Sequence, residues 1–143
     1  MKKTIAFIVS FLLCLSCLCF VACDNKNADP VVIKVDASKY EITSTTTLND
    51  YMNILELNGE LDFTTSFGAY GAFITSVNGV SNGVGGNPCW MVYTDDPAYK
   101  DLSEWGTKIT IGEKEYVSAT MGISGIIVSD GYSYVLYYTS FNL

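Results

Sequence analysis

The clearest period along the chain is helical. In TTTLNDYMNILELNG, Leu48, Tyr51, Met52 and Leu55 fall at i, i+3, i+4 and i+7, the spacing of one helix face. Thr47 stands where an N-cap hydroxyl belongs, with Asp50 three residues on to complete a capping box. Asn58-Gly59 then offers a left-handed stop. This pattern predicts one amphipathic helix of about three turns.

Elsewhere the period shortens to two. Phe73, Thr75 and Val77 point to one side of a pleated strand, Ile74 and Ser76 to the other. Segments 61–67, 72–78, 89–94, 108–112, 114–119, 124–129 and 132–141 are rich in β-branched and aromatic residues, with Gly, Asn, Asp and Pro between them. Segment 31–37 reads either as a first strand or as part of an extended stalk, and 40–43 as a further short strand. No internal repeat is present. The predicted class is α+β, one amphipathic helix packed on a mostly antiparallel sheet.

The N-terminus has a different character. Lys2-Lys3 precede an apolar run that continues to Ala22, and after Cys23 the composition turns abruptly polar in DNKNADP. A transmembrane anchor competes with an export signal here. The stretch FVAC, ending at Cys23, is similar to the bacterial lipobox, in which the peptide before the cysteine is cleaved and the cysteine is acylated. CLSC, ending at Cys17, is a second candidate. The expected organisation is a signal over 1–22, a lipidated Cys23 and tether over 23–39, and a folded domain over 40–143 outside the cytoplasm. That leaves a single domain's length, enough for one core. Only Cys89 then remains in the folded part, which excludes a disulfide framework and suits a small buried residue.

Charge narrows the function. Six lysines against fifteen acidic residues leave −9 after Cys23, and the chain has neither Arg nor His. Nucleic-acid binding is excluded, because nothing neutralises a row of phosphates. Contact with the membrane is expected through the lipid anchor alone. Without His, the Ser/His/Asp and Cys/His nucleophiles and His-based metal sites are ruled out, so the chain is not expected to be an enzyme or to hold a cofactor. Asp95, Asp96, Asp101 and Glu104 gather hard oxygen donors in TDDPAYKDLSE, but not at EF-hand spacing. A plain acidic loop competes there with a metal site.

The stretch between Asn78 and Cys89 is small and amide-rich. It lacks the signatures of a phosphate loop. A hairpin connection with positive φ at Asn78-Gly79 and Asn82-Gly83 explains its composition. Its length exceeds that of an ordinary hairpin loop, which suits close approach to a ligand beside Trp90 and Tyr93.

In order and spacing, the helix, YGAFITSVNGV (70–80), CWMVY (89–93) and MGISGIIVSDGYSYVLYY (121–138) resemble a bacterial family of uncharacterised domains. That family is related to the C-terminal domain of transcobalamin and intrinsic factor. The resemblance covers roughly Thr46 to Phe141 and implies a β-grasp-like fold. It also implies a soluble-ligand site, a corrinoid (cobalamin) being the leading ligand, built from Ser76, Asn78, Val80, Asn82, Val84, Trp90 and Tyr93. Delivery to a membrane transporter would follow. Segment 94–119 departs from the family as an extra hairpin, and Tyr132 replaces a second Asp. Two rival readings stand beside this one: an adhesion or protein-interaction module using Trp105, Tyr132 and Tyr134, and a surface metal-binding protein using the acidic loop.

Overall fold

The computed structural model describes residues 28–140; the expected signal, Cys17, Cys23 and the start of the tether lie outside them. Capping chemistry sets the helix α1 (Leu48–Leu57). The Thr47 side chain accepts from the Asp50 N–H, and the Asp50 carboxylate accepts from the Thr47 N–H at 2.9 Å. Leu48, Tyr51, Met52 and Leu55 are its buried residues.

The strands are β1 (Val31–Lys34), β2 (Phe63–Gly68), β3 (Gly71–Val77), β4 (Val80–Ser81), β5 (Cys89–Thr94), β6 (Lys108–Ile111), β7 (Lys114–Ser118) and β8 (Ser133–Thr139). They form two sheets, one of five strands in the order β1-β8-β5-β7-β6 and one of three in the order β2-β3-β4. Every pairing among these strands is antiparallel. The class is α+β as expected, with the strands divided between two sheets. Segment 31–37 takes the first of its two possible roles, since β1 pairs with β8 and Ile33 and Val35 enter the core.

The main core lies between the sheets and around α1. The five-stranded sheet contributes Ile33, Trp90, Tyr134 and Leu136 from its inner face, and the small sheet contributes Phe63, Ala72, Ile74 and Val77. The outer face of the five-stranded sheet carries a second cluster, in which Tyr93, Tyr116 and Val135 bury one another beside Met91, Ile109, Ile111 and Tyr137.

Two expected strands are not strands. Segment 40–43 is irregular, and Tyr40 sets its ring edge-on to Tyr51 with centroids 6.0 Å apart. Segment 124–129 is a turn followed by a bridge from Ile127 to Thr47. Ile126 and Val128 are buried, but the backbone of this stretch serves the helix. Leu48 N–H donates to Ile126 O at 2.8 Å and Asn49 N–H to Ile123 O at 3.0 Å, satisfying amides that a helix start leaves without internal partners.

Candidate functional site

Asn78 and Gly79 form a two-residue turn with φ of 48° and 78°, closing β3 onto β4 with Val77 opposite Val80. Both residues occupy the left-handed region that such hairpins require. Asn78 is tied down further, because its N–H donates to Asp62 O at 2.7 Å and its Oδ1 accepts from Asp62 N–H at 3.2 Å. The long amide-rich stretch is therefore not one open loop. It is a tight hairpin followed by a crossing from the small sheet to the large one.

Asn82 joins the two sheets. Its Nδ2 donates to Ile74 O on β3 at 2.8 Å, and its Oδ1 accepts from Trp90 N–H on β5 at 3.0 Å. Trp90 adds a third link, its Nε1 donating to Val80 O at 2.8 Å. The Trp90 ring leans on Tyr138 at 5.2 Å, and the Tyr138 hydroxyl donates to Ser81 O at 2.9 Å. Gly83 departs from the expected positive φ, lying at −66°. Glycine is needed there for space, since a Cβ would stand 2.5 Å from Asn87 O.

Beside this seam is a half-open cavity of about 600 Å³. Residues Ala28 to Val32 make one wall; Val77, Asn78, Val80 and Trp90 make the other. Its volume falls within the range of small-molecule sites. No buried side-chain nitrogen or oxygen among the described residues lacks a partner, and the lining carries one charged residue, Asp29.

Of the seven residues expected at the site, three meet at this cavity: Asn78, Val80 and Trp90. Asn82 stands behind it with both ends of its amide engaged. Ser76 lies on the outer face of the small sheet, its hydroxyl 2.8 Å from that of Thr64. Val84 projects fully into solvent. Tyr93 sits on the opposite face of the five-stranded sheet from Trp90, its ring edge-on to Tyr137 at 5.7 Å and its hydroxyl 3.0 Å from Thr107 Oγ1. An odd separation of three along a strand forces that outcome. Val77 and the 28–32 wall are additions to the expected set: 28–30 belong to the polar tether in the sequence, and 31–32 to the segment that reads as a strand or a stalk.

The acidic loop does not converge. Asp95 pairs with Lys114 and accepts from Ser133 N–H at 2.7 Å; burial pushes its carboxyl up, but Lys114 and that N–H more than reverse it, leaving its pKa below the ordinary value. Asp96 is buried and accepts from the Tyr134 hydroxyl at 2.8 Å and from Ala98 N–H at 3.0 Å. Asp101 closes a local turn on Ser103 N–H at 3.0 Å. Among the described residues no three of His, Cys, Asp and Glu, Glu104 included, come together as a metal site.

The aromatics proposed for adhesion divide as well. Trp105 is exposed and Tyr132 partly buried, but Tyr134 lies wholly within the core, where burial first and Asp96 second raise its phenol pKa. Cys89 is half-buried, and burial pushes its thiol up, away from thiolate reactivity. No helix among the described residues is long and apolar enough to cross a membrane. Comparison with protein-family models, curated proteins and solved structures finds no match.

Proposed function

We propose that the protein is an extracytoplasmic ligand-binding module, held at the membrane through acylated Cys23, that takes a flat uncharged ligand into the cavity between β1 and β4. The observation that carries this reading is the convergence of Asn78, Val80 and Trp90 on one cavity with residues 28–32 opposite. A corrinoid is the leading candidate. The uncharged lining, apart from Asp29, favours a large neutral ring with amide substituents over an anion. Four residues lie between Cys23 and Ala28, and the five chain steps reach at most about 18 Å. An anchored chain therefore holds its cavity close to the membrane surface, as capture for a membrane transporter requires.

The reading is tested by calorimetric titration of residues 24–143 with cobalamin and cobinamide. Saturable binding that is abolished by Val80→Asp, with the circular dichroism spectrum unchanged, is the expected result. Trp90→Phe is the milder probe: it loses the Nε1 bond to Val80 O, as Trp90→Ala does, but keeps an aromatic ring on the cavity wall. Absence of heat and of co-migrating coloured ligand at high micromolar concentration would sink the corrinoid assignment.

A further inference from the structure

The charges of this acidic chain are unevenly placed. From Phe63 to Thr94 no residue is charged, so the three-stranded sheet is wholly neutral. Its two margins differ. β4 is two residues long and runs into the seam with β5, whereas β2 has six residues and nothing among the described strands pairs with its far side.

Unpaired strand edges invite addition of another strand, and proteins usually guard them with lysine, proline or brevity. The two edges of the large sheet are guarded in this way. β1 is four residues long, follows Pro30 and ends at Lys34; β6 is four residues long and begins at Lys108. β2, FTTSFG, has no such guard, its only irregularity being a register shift at Thr64/Thr65. The two-residue turn at Ala69-Tyr70 closes on Gly68 and Gly71, which phases the ladder. Ser66 and Gly68 bond to β3, so the N–H and C=O of Thr65 and Phe67 point away from it.

The same tip carries large apolar side chains in solvent. Phe67 is 80% exposed, Tyr70 91% and Phe73 48%. At 150–250 Å² each, they present about 400 Å² of aromatic surface per chain. Two copies together supply about 800 Å², roughly two-thirds of the lower limit of a specific interface, and the paired strand edges must supply the rest.

We propose that β2 is the contact between two copies of this chain, paired antiparallel across a two-fold axis at Ser66. In that register Thr65 of each copy faces Phe67 of the other, and the outward backbone groups satisfy one another. Ser66 meets Ser66 of the second copy as a non-hydrogen-bonded pair. The edge is self-complementary, as a two-fold interface requires. Its neutrality lets two acidic chains meet without opposing carboxylates. The pairing goes beyond the ligand-binding reading and does not depend on it, because the cavity lies at the other end of β3.

The decisive experiment uses the full chain in the membranes of the cells that export it. Across a two-fold pair of this kind the Cα atoms stand about 4.5 Å apart, inside the range a disulfide spans. Mild oxidation of Ser66→Cys should give a linked dimer on a non-reducing gel. The parent chain, with its own cysteines, and Thr64→Cys, four residues out of register, should not. In sedimentation of the detergent-solubilised chain, Phe67→Lys should weaken dimerisation by about tenfold or more, whereas Val84→Lys on the distant loop should not. A monomeric parent chain, equal linking by Ser66→Cys and Thr64→Cys, or a dimer indifferent to Phe67→Lys would each overturn the proposal.

Discussion

The two sheets share one core but are built from different materials. The five-stranded sheet and the turn after β5 carry the buried polar residues Thr94, Asp96, Ser118 and Ser133 and the Tyr134 hydroxyl, together with the ion pairs Lys108–Glu115 and Lys114–Asp95. The three-stranded sheet has no charge and joins its strands on the outer face through hydroxyls, Thr64 to Thr75 at 2.7 Å and Thr64 to Ser76 at 2.8 Å. Buried networks that are fully satisfied fix one arrangement strictly, since each lost partner is costly. Exposed hydroxyl pairs fix little. The contrast places the strict constraints in the large sheet and leaves the small sheet, with the cavity at its margin, the less constrained of the two.

The largest expected effect tests that division directly. Leu136 is wholly buried on the inner face of β8, the strand that pairs with both β1 and β5. Leu136→Ala should cost about 2–5 kcal/mol of unfolding free energy in urea titration, through lost burial and a residual cavity. A loss under about 1 kcal/mol would place the stability elsewhere. Asp96→Ala comes next. It strands the buried Tyr134 hydroxyl without its acceptor, at about 1–3 kcal/mol. The matching change on the small sheet, Thr64→Val, removes only exposed hydroxyl contacts and should stay within about 0.5 kcal/mol. Equal costs for the two would erase the distinction.

Asn82 belongs to neither sheet and sharpens the comparison. Asn82→Ala frees Ile74 O and Trp90 N–H together and should cost about 1–3 kcal/mol. Because Trp90 is a wall of the cavity, the same variant should weaken ligand binding more than its stability loss explains. Titration of the folded fraction measures this.

Part of this arrangement could be read from the residues. The helix was legible because its signals are local: the 3.6-residue spacing, the Thr47–Asp50 box and Gly59, whose φ is 71°. The Asn78-Gly79 turn was legible for the same reason. Segment 124–129 misled because composition reports burial and not pairing. Ile126 and Val128 are buried as strand residues would be, but their backbone meets the start of α1, a contact made across more than seventy residues. Two further limits concern the site. Trp90 and Tyr93 were joined by proximity in sequence although strand alternation separates them. The wall at 28–32 was hidden because a short Pro-containing segment that follows a polar run reads as a tether unless its partner strand β8, a hundred residues away, is already in view.

A further small effect concerns pH, and it falls on one side of the comparison only. No carboxylate lies between Phe63 and Thr94, so acid acts on the fold through the other elements. Asp95 is the informative group. Its folded pKa lies below the unfolded value of 3.8, so its contribution is fully present above about pH 4 and is lost as the pH falls through the depressed folded value. Lys114, its partner, is half-exposed, and the pair is accordingly worth no more than about 1 kcal/mol. Lys114→Met should therefore lower the urea midpoint slightly at pH 7 and leave it unchanged once Asp95 is protonated in both states. Hydrogen exchange should locate the acid-induced loosening at the start of β8, where Asp95 accepts from Ser133 N–H, with β2 and β3 unaffected. Loosening that began in β2 and β3 would mean that the neutral sheet depends on the charged one for more than a shared core.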